Sequence, residues 1–306
     1  MTDGHENAGF RRLFGGEDLT FGTGFPLTRA SESRPDVAAE VDLAVHAEDL
    51  GYDALWARDV PLYWPKFGDA GQTFDTWPWL THAAGHTSEI ALGTGSVVLP
   101  LRHPLHVAKS AATVDRLSDG RLVMGVATGD RDPEFPAFDV DADRRGRLFR
   151  ESVDLLRTVW REEFPEVESD WGRLDGDLDL VPKPTTETVP LLPTGFARQE
   201  IEWIGEHGDG WLFYHLPTET LEGYLDDWRA AGGEKPFAMA LRVDLADDDG
   251  ADPEPVHQGY CAGRDWFVDY FRDLDDLGVD HVLVSVTGDD PESALTRFAD
   301  EVVANV

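Results

Sequence analysis

The residues best suited to chemistry lie where two predicted strands end. Both ends lack bulky side chains: they are Thr94, Gly95 and Ser96 for the first strand, and Ala127, Thr128 and Gly129 for the second. A predicted helix and an SDGR turn separate the strands, so the segment reads as one β-α-β unit of a parallel sheet. Small residues at the carboxyl ends of parallel strands let a flat ligand approach the backbone closely.

The other predicted strand ends offer few groups for acid–base or nucleophilic catalysis. Asp59 follows one strand, and the segment TGFAR (194–198) follows another. No two carboxylates converge from neighbouring strands, and no histidine–carboxylate cluster has metal-ligand spacing. None of the four lysines lies at a strand end, which argues against Schiff-base chemistry. A strand edge so poor in catalytic side chains indicates that a bound cofactor carries out the chemistry.

Alternating strands and helices must position these residues. The predicted strands are 19–25, 54–58, 90–100, 121–128, 190–195, 210–215, 236–245 and 281–286, and helices are predicted at 34–51, 76–87, 144–162 and 197–208. Eight strands that alternate with helices predict an α/β fold, a (β/α)8 TIM barrel formed by residues 1–306 as one domain. Residues 163–190 are acidic and irregular and are expected to be an insertion, or lid, before strand five.

The charge of the chain excludes several partners. It has 60 acidic and 26 basic residues, a net charge of −34, and the acidic residues are spread along the whole length. Such a surface repels nucleic acid and anionic membranes, so we expect neither as a partner. The shortage of lysine together with the acid excess favours a halophilic protein that is soluble in high salt. An ordinary acidic cytosolic protein is the alternative.

The location of the protein is expected to be cytoplasmic. The single cysteine, Cys261, excludes an intramolecular disulfide. The first residues, MTDGHENAGFRR, lack the apolar core of a signal peptide. The longest apolar stretch, around 90–101, is too short and too rich in glycine to span a bilayer.

Several motifs in a fixed order identify a family resemblance. They are GYDALWARD (51–59), LGTGSVVLPLRHP (92–104), LSDGR (117–121), GVATGDRDPEF (125–135), TGFAR (194–198) and GDGW (208–211). Over at least residues 18–215 the chain resembles the luciferase-like monooxygenase family, the bacterial luciferase-type flavin-dependent oxidoreductases. Two positions depart from the family pattern. Arg58-Asp59-Val60 stands where the family often has Ser-Asp-His, and Gly195-Phe196-Ala197 replaces a Gly-Gly-Ser turn.

The resemblance implies a site at the carboxyl ends of the strands. The flavin ring is expected against Thr94, Gly95, Ser96, Ala127 and Thr128, with Asp59 as a catalytic residue at the rim. The cofactor phosphate is expected at Gly195, Phe196, Ala197 and Arg198, where a helix start would present backbone N–H groups. Structural alternatives exist for each group. Thr94–Ser96 could be a β-bulge, Asp59 a loop cap, and 195–198 only a helix start.

Other residues near the strand ends have less defined roles. Arg102 and His103 are expected to cap a helix and form ion pairs, and His215 is a weaker candidate. An aromatic segment, residues 63–79, could cover the cofactor ring or form a dimer surface.

The resemblance implies a flavin-dependent oxidoreductase. The first expectation is a monooxygenase that uses reduced FMN and O2 on a small organic substrate, supplied with electrons by a separate flavin reductase or other donor. The alternative is hydride transfer with the deazaflavin coenzyme F-420. A non-catalytic flavin-binding protein is a third possibility, supported by the missing histidine. A sugar-phosphate lyase or isomerase is disfavoured because the strand ends lack an acid–base pair. We expect a homo-oligomer.

Overall fold

The computed structural model describes residues 6–25, 37–67, 74–288 and 290–306. The strands are β1 (Thr20–Phe25), β2 (Ala54–Ala57), β3 (Ala91–Val98), β4 (Leu122–Ala127), β5 (Glu166–Ser169), β6 (Gly172–Asp175), β7 (Leu191–Pro193), β8 (Trp211–Phe213), β9 (Phe237–Leu245), β10 (Glu254–Val256), β11 (Gly259–Ala262) and β12 (His281–Val286). The α-helices are α1 (Ala8–Phe14), α2 (Val37–Asp49), α3 (Thr76–Ala84), α4 (Pro104–Leu117), α5 (Glu134–Ala137), α6 (Arg145–Arg161), α7 (Ile201–His207), α8 (Thr218–Gly232), α9 (Arg264–Leu277) and α10 (Pro291–Glu301).

Eight parallel strands form the barrel predicted from the sequence. Their order is β1, β2, β3, β4, β7, β8, β9 and β12, and β12 pairs with β1. Between β7 and β8 the ladder narrows to one parallel bridge, Thr194 with Leu212. The N–H of Gly195 also donates to the Leu212 carbonyl at 2.8 Å. The carboxyl ends of all eight strands therefore lie at one end of the molecule.

The barrel interior is filled by Trp56 of β2. A Cβ added to Gly22 would lie 2.6 Å from the Trp56 indole nitrogen, and one added to Gly93 would lie 2.3 Å from its ring. The two glycines therefore leave the space that this indole occupies. The indole N–H donates to Nε2 of His281 on β12 at 3.0 Å, and both side chains are buried. This packing closes the barrel below its carboxyl end.

The amino-terminal end of the barrel is covered by α1, a helix that the sequence did not predict. Phe10 and Leu13 are buried there against interior residues of the strands, which include Ala54, Val123 and Leu192. Asn7 caps this helix, because its side chain accepts the Phe10 N–H at 2.9 Å. The mouth at the opposite end is left as the place for a ligand.

Two hairpins differ from the predicted layout. Residues 163–190, expected to be irregular, contain the antiparallel pair β5–β6. The second hairpin, β10–β11, lies after β9, and its β11 pairs in parallel with the upper part of β9, with Gly259 opposite Arg242. β8 pairs only with the amino-terminal part of β9. Beyond the end of β8, β11 therefore extends the barrel wall beside the carboxyl-terminal part of β9. Among the described residues, no helix is long and apolar enough to cross a membrane.

Candidate functional site

The floor of the barrel mouth consists of small residues above Trp56. Gly24 lies two residues beyond Gly22 and therefore shares its inward face. Among the described residues, a Cβ added at Gly24 would meet nothing within 4 Å. One added at Gly95 would find Leu283 Cδ1 at 3.5 Å and Trp56 Cβ at 3.8 Å, which are ordinary contacts. The space above these glycines is therefore open, while the space below is filled. Sequence reasoning missed Gly24, although its alternation with Gly22 was visible.

The predicted ring residues lie on the neighbouring strands β3 and β4: Thr94, Gly95 and Ser96 lie inside β3, before its end at Val98, and Ala127 ends β4. The pairing of these strands shifts register between Thr94 and Val97, so the β-bulge considered from the sequence is present. The Gly95–Ser96 peptide is cis. The Thr94 hydroxyl donates to the Gly125 carbonyl at 2.7 Å. The Ser96 hydroxyl lies 2.5 Å from that of Thr194, which connects the bulge to the end of β7.

Exposure differs among these residues. Thr94 and Thr128 are buried, whereas Gly95, Ser96 and Ala127 are half-buried. A flat ligand above the floor would therefore contact the latter three residues directly.

The predicted phosphate residues form a turn and not the start of a helix. Gly195, Ala197 and Arg198 have φ values of +57°, +47° and +55°. These angles are incompatible with a right-handed helix, so α7 begins only at Ile201. The expected helix start at 195–198 is therefore wrong, and the N–H groups of the turn are not those of the first turn of α7.

The turn presents unpaired backbone donors. Within the described part of the chain, the N–H groups of Phe196, Ala197 and Arg198 have no hydrogen-bond acceptor, whereas that of Gly195 is bound to β8. Consecutive free N–H groups in a turn form a concave site for an anion. The Arg198 side chain is exposed beside them. The arrangement therefore suits a phosphate for a different reason from the one that the sequence suggested.

A support for this turn was missed in the sequence. Gln199 is buried, and its side-chain amide donates to the carbonyls of Ala197 and Gly146, both at 2.9 Å. The turn is thereby held against the first residues of α6. The neighbouring Arg145 lies over the Phe135 ring at 5.1 Å and donates to the Gly129 carbonyl at 3.2 Å. The arginine-rich run RRGR (144–147), which lies close to this turn, is the feature of the sequence that could have indicated this support.

Asp59 is buried in an ion pair. Its carboxylate accepts two hydrogen bonds from Arg102, Nε to Oδ2 at 2.9 Å and Nη2 to Oδ1 at 2.7 Å, and a third from the Val98 N–H at 3.2 Å. Burial lowers the pKa of Arg102, but its hydrogen bonds and charge interactions with Asp59 and Asp75 outweigh this effect, and the net pKa is raised. A catalytic role for Asp59 stays a prediction. The predicted capping by His103 is present, since its Nδ1 accepts the Leu105 N–H at 3.3 Å.

The aromatic segment 63–79 divides into two parts. Tyr63 and Phe67 are exposed near the mouth, whereas Trp77 and Trp79 are core residues of α3. Trp79 stacks on Phe25 at 4.4 Å. A continuous aromatic cover over 63–79 is therefore wrong for its second half, and residues 68–73 lie outside the described part of the chain.

His215 does not join the ring residues. It packs edge-on against Tyr260 of β11 at 5.1 Å, and burial lowers its pKa. No group of three or more His, Cys, Asp or Glu side chains able to hold a metal occurs in the described ranges.

Comparisons with known proteins give the family. The model of the luciferase-like monooxygenase family matches residues 19–265. The F420-dependent glucose-6-phosphate dehydrogenase of Kineococcus radiotolerans is 30% identical over 219 residues, which cover 68% of this chain and 64% of that protein. Four further matches, all named as F420-dependent dehydrogenases, are 29 to 34% identical.

Solved structures share the fold. An F420-dependent secondary alcohol dehydrogenase in complex with an F420–acetone adduct has a TM-score of 0.77 at 20% identity, and the monooxygenase RslO1 from Streptomyces bottropensis has 0.77 at 19%. Each match covers 94% of this chain and 99% of the other. At this identity they show the barrel fold alone. Because the family model spans most of its length, the chain belongs to the luciferase-like monooxygenase family.

Proposed function

We propose that this protein is an oxidoreductase that binds a flavin-type cofactor at the barrel mouth and transfers a hydride to or from a small organic substrate. The observation that carries the proposal is the turn at 196–198, whose three N–H groups have no acceptor among the described residues, together with a floor of small residues at the barrel mouth. A flat three-ring system can lie against such a floor, and backbone N–H groups in such a turn can bind its phosphate.

The residues present fit this group. Trp56 fills the interior below Gly95, so a flat ring has room only above the glycine floor. Gly95, Ser96 and Ala127 would contact the ring, and the N–H groups of the turn would hold the phosphate, with Arg198 adding positive charge. The bound cofactor would supply the carbon that accepts or donates the hydride. The side chains around the mouth would orient the substrate and exclude water.

Coenzyme F-420 is the cofactor that we propose first. Support comes from relatives at 29 to 34% identity whose names state F420 dependence. The chain spans 64% of the Kineococcus relative, so its sugar-phosphate substrate is not carried over. FMN-dependent oxygenation of a small organic substrate, with a separate electron donor, is the second candidate. It is supported by the family description and by the fold shared with a monooxygenase.

Titration with each cofactor tests the proposal. Purified protein is titrated with F-420 and with FMN, and binding is followed by absorbance and fluorescence. Tighter binding of F-420, with bleaching of the deazaflavin when secondary alcohols are added, is the expected result. Binding of FMN alone, with oxygen uptake when a reductase is supplied, would favour the second candidate. If neither cofactor binds the folded protein, the proposed function is wrong.

A further inference from the structure

The loop that follows β2 is fastened at its base by one arginine. Arg102 forms ion pairs with Asp59, where the loop begins, and with Asp75, which caps α3 where the loop ends, at 2.7 and 3.0 Å. The hydroxyl of Thr76 also donates to the Arg58 carbonyl at 2.9 Å, so the two ends of the loop are joined directly. The base of this loop is therefore held closed from the β3–α4 connection.

A second arginine fastens the described middle of the loop. Arg131, from the segment after β4, donates to the Leu62 carbonyl at 2.5 Å. Its guanidinium lies over the Phe67 ring, 5.0 Å from the centroid. Its Nε donates to Glu134 at 2.9 Å, and each side chain of this ion pair is only 4% exposed. Arg131 is thus held rigidly by Glu134 while it holds the loop.

Stability alone is a weak reason for this buried ion pair. Moving two charges out of water costs several kcal/mol per ion, and an apolar pair of similar volume is often at least as stable. The contacts of Arg131 instead join a loop from β2 to a loop from β4. Because β3 lies between these strands, the connection crosses the carboxyl-terminal side of β3, the strand that contains Gly95 and Ser96.

The exposed residues of the fastened loop are apolar except for Lys66. Leu62, Tyr63 and Phe67 are 45%, 60% and 39% exposed. We name residues 59–67 the aromatic loop. Aromatic and aliphatic side chains at the rim of a concave site bind the apolar part of a ligand.

We propose that Arg102 and Arg131 fix the aromatic loop as a preformed apolar wall of the substrate site, and that Asp59 is a positioning residue for this wall. The inference rests on the proposed function. From the exposed side chains of Leu62, Tyr63 and Phe67 it assigns the substrate as a small organic molecule with an apolar body. With its carboxylate bound to Arg102 and to the Val98 N–H, Asp59 positions the loop and transfers no proton.

The first test needs no cofactor. Lys66 is exposed in the aromatic loop, so trypsin cleavage after it, followed by mass spectrometry, reports how firmly the loop is held. We expect Arg131→Met, Arg102→Met and Asp59→Asn to accelerate this cleavage at least tenfold. Arg131→Lys, which keeps the charge and loses the planar fork, should lie between wild type and Arg131→Met. The matched control is Arg147→Met, an exposed arginine of α6, which should leave the rate unchanged within about twofold.

A second variant guards against loss of the fold. Phe67→Leu removes the ring under Arg131 without leaving a buried charge unpaired, and it should accelerate cleavage severalfold. Circular dichroism establishes that each variant is folded. If folded Arg131→Met, or Phe67→Leu in its place, is cleaved after Lys66 at the wild-type rate, the wall is not held as proposed. An unchanged rate in folded Asp59→Asn would overturn the role of Asp59.

The second test separates positioning from proton transfer. In the active enzyme, Asp59→Asn and Arg102→Met should raise KM for apolar alcohols by similar factors and keep both limbs of the kcat pH profile. A limb that disappears only in Asp59→Asn would make Asp59 an acid or base. If neither cofactor binds, the proposed function is wrong. The proteolysis result still shows whether the two arginines hold the aromatic loop in place.

Discussion

Arg198 is the residue at which the phosphate contact can be tested with little damage to the fold. Its side chain is exposed and its φ is +55°. We expect Arg198→Glu to weaken cofactor binding at least tenfold, about 1.4 kcal/mol, because it places a negative charge beside the phosphate. Arg198→Gly removes the charge but fits the left-handed backbone, so it should cause a smaller loss. Fluorescence titration measures both, and unchanged affinity in both would place the phosphate elsewhere.

Gly195 is a poorer choice for such a test. Any side chain there would be strained at φ +57°, and its Cβ would lie 3.1 Å from the Tyr214 ring. A bulky replacement would therefore distort the turn itself, and weaker binding would not identify the phosphate position.

The glycine floor makes a separate prediction. Gly95→Leu and Ala127→Leu should abolish cofactor binding while the protein stays folded, because each new side chain extends into the open mouth. Gly95→Ala is the matched control, since its Cβ makes only ordinary contacts with Leu283 and Trp56. Absorbance titration gives the affinities. Normal binding in both leucine variants would contradict a ring at this position.

At the scale of the elements, three aspartates hold the amino-terminal ends of neighbouring barrel strands together. Asp53, Asp209 and Asp280 each stand just before a strand and accept the N–H of a residue in the adjacent strand, at 3.0, 2.8 and 2.7 Å. Burial raises the pKa of Asp53 and Asp280, because the carboxylates are partly removed from water. These bonds set the strand register at the end opposite the candidate site.

Inside the barrel, His281 joins β12 to β1 and β2. Its Nε2 accepts the Trp56 indole N–H at 3.0 Å, and its Nδ1 lies 2.8 Å from the Thr20 hydroxyl. Burial lowers the pKa of His281 to about 3. The imidazole is therefore neutral in the folded protein, and a proton on Nε2 would meet the indole N–H.

Acid should weaken this connection in a way that can be measured. A group whose pKa is depressed on folding contributes stability that is present above its unfolded pKa, about 6.5 for histidine, and is lost as pH falls toward its folded value. Between pH 7 and pH 4.5 the free energy of unfolding should fall by about 2–3 kcal/mol more in wild type than in His281→Gln. Urea titrations at both pH values measure this difference. Equal pH dependence in the two proteins would contradict the assignment of a neutral His281.

At the scale of the whole molecule, the net charge of −34 is the dominant feature. Acidic side chains from different parts of the chain come close together at some places on the surface. The pKa of Asp275 on α9, for example, is raised by burial and by its neighbours Asp276 and Asp18. The Debye length is about 10 Å at 0.1 M salt and about 3 Å at 1 M, so repulsion across such a surface depends strongly on salt.

We predict that the protein loses its folded structure below a few hundred millimolar salt. Unscreened repulsion would then oppose the compact state. Circular dichroism from 50 mM to 2 M NaCl tests this, with sucrose of equal osmolarity as the control for effects other than screening. A chain equally folded at both limits is an ordinary acidic protein.

The sequence by itself determined the eight strands and the small residues at their ends. Each barrel strand is a short apolar run bounded by turn residues, and alternation within the run assigns its inward face. Gly95, Ser96 and Ala127 could be placed at the mouth for this reason. The aspartates before β2, β8 and β12 also stand out in the sequence, because each follows closely after a glycine, at 51, 208 and 278.

Only the tertiary structure decided what the charged residues near the mouth contact. Arg102 meets Asp59 across 43 residues of sequence, and Arg131 meets Leu62 across 69. The sequence also did not indicate that α1 packs against the barrel end, or that α7 begins later than predicted. Periodicity records burial along one element, whereas such pairings depend on how several loops close over the same strand ends. A short local pattern carries no information about that closure.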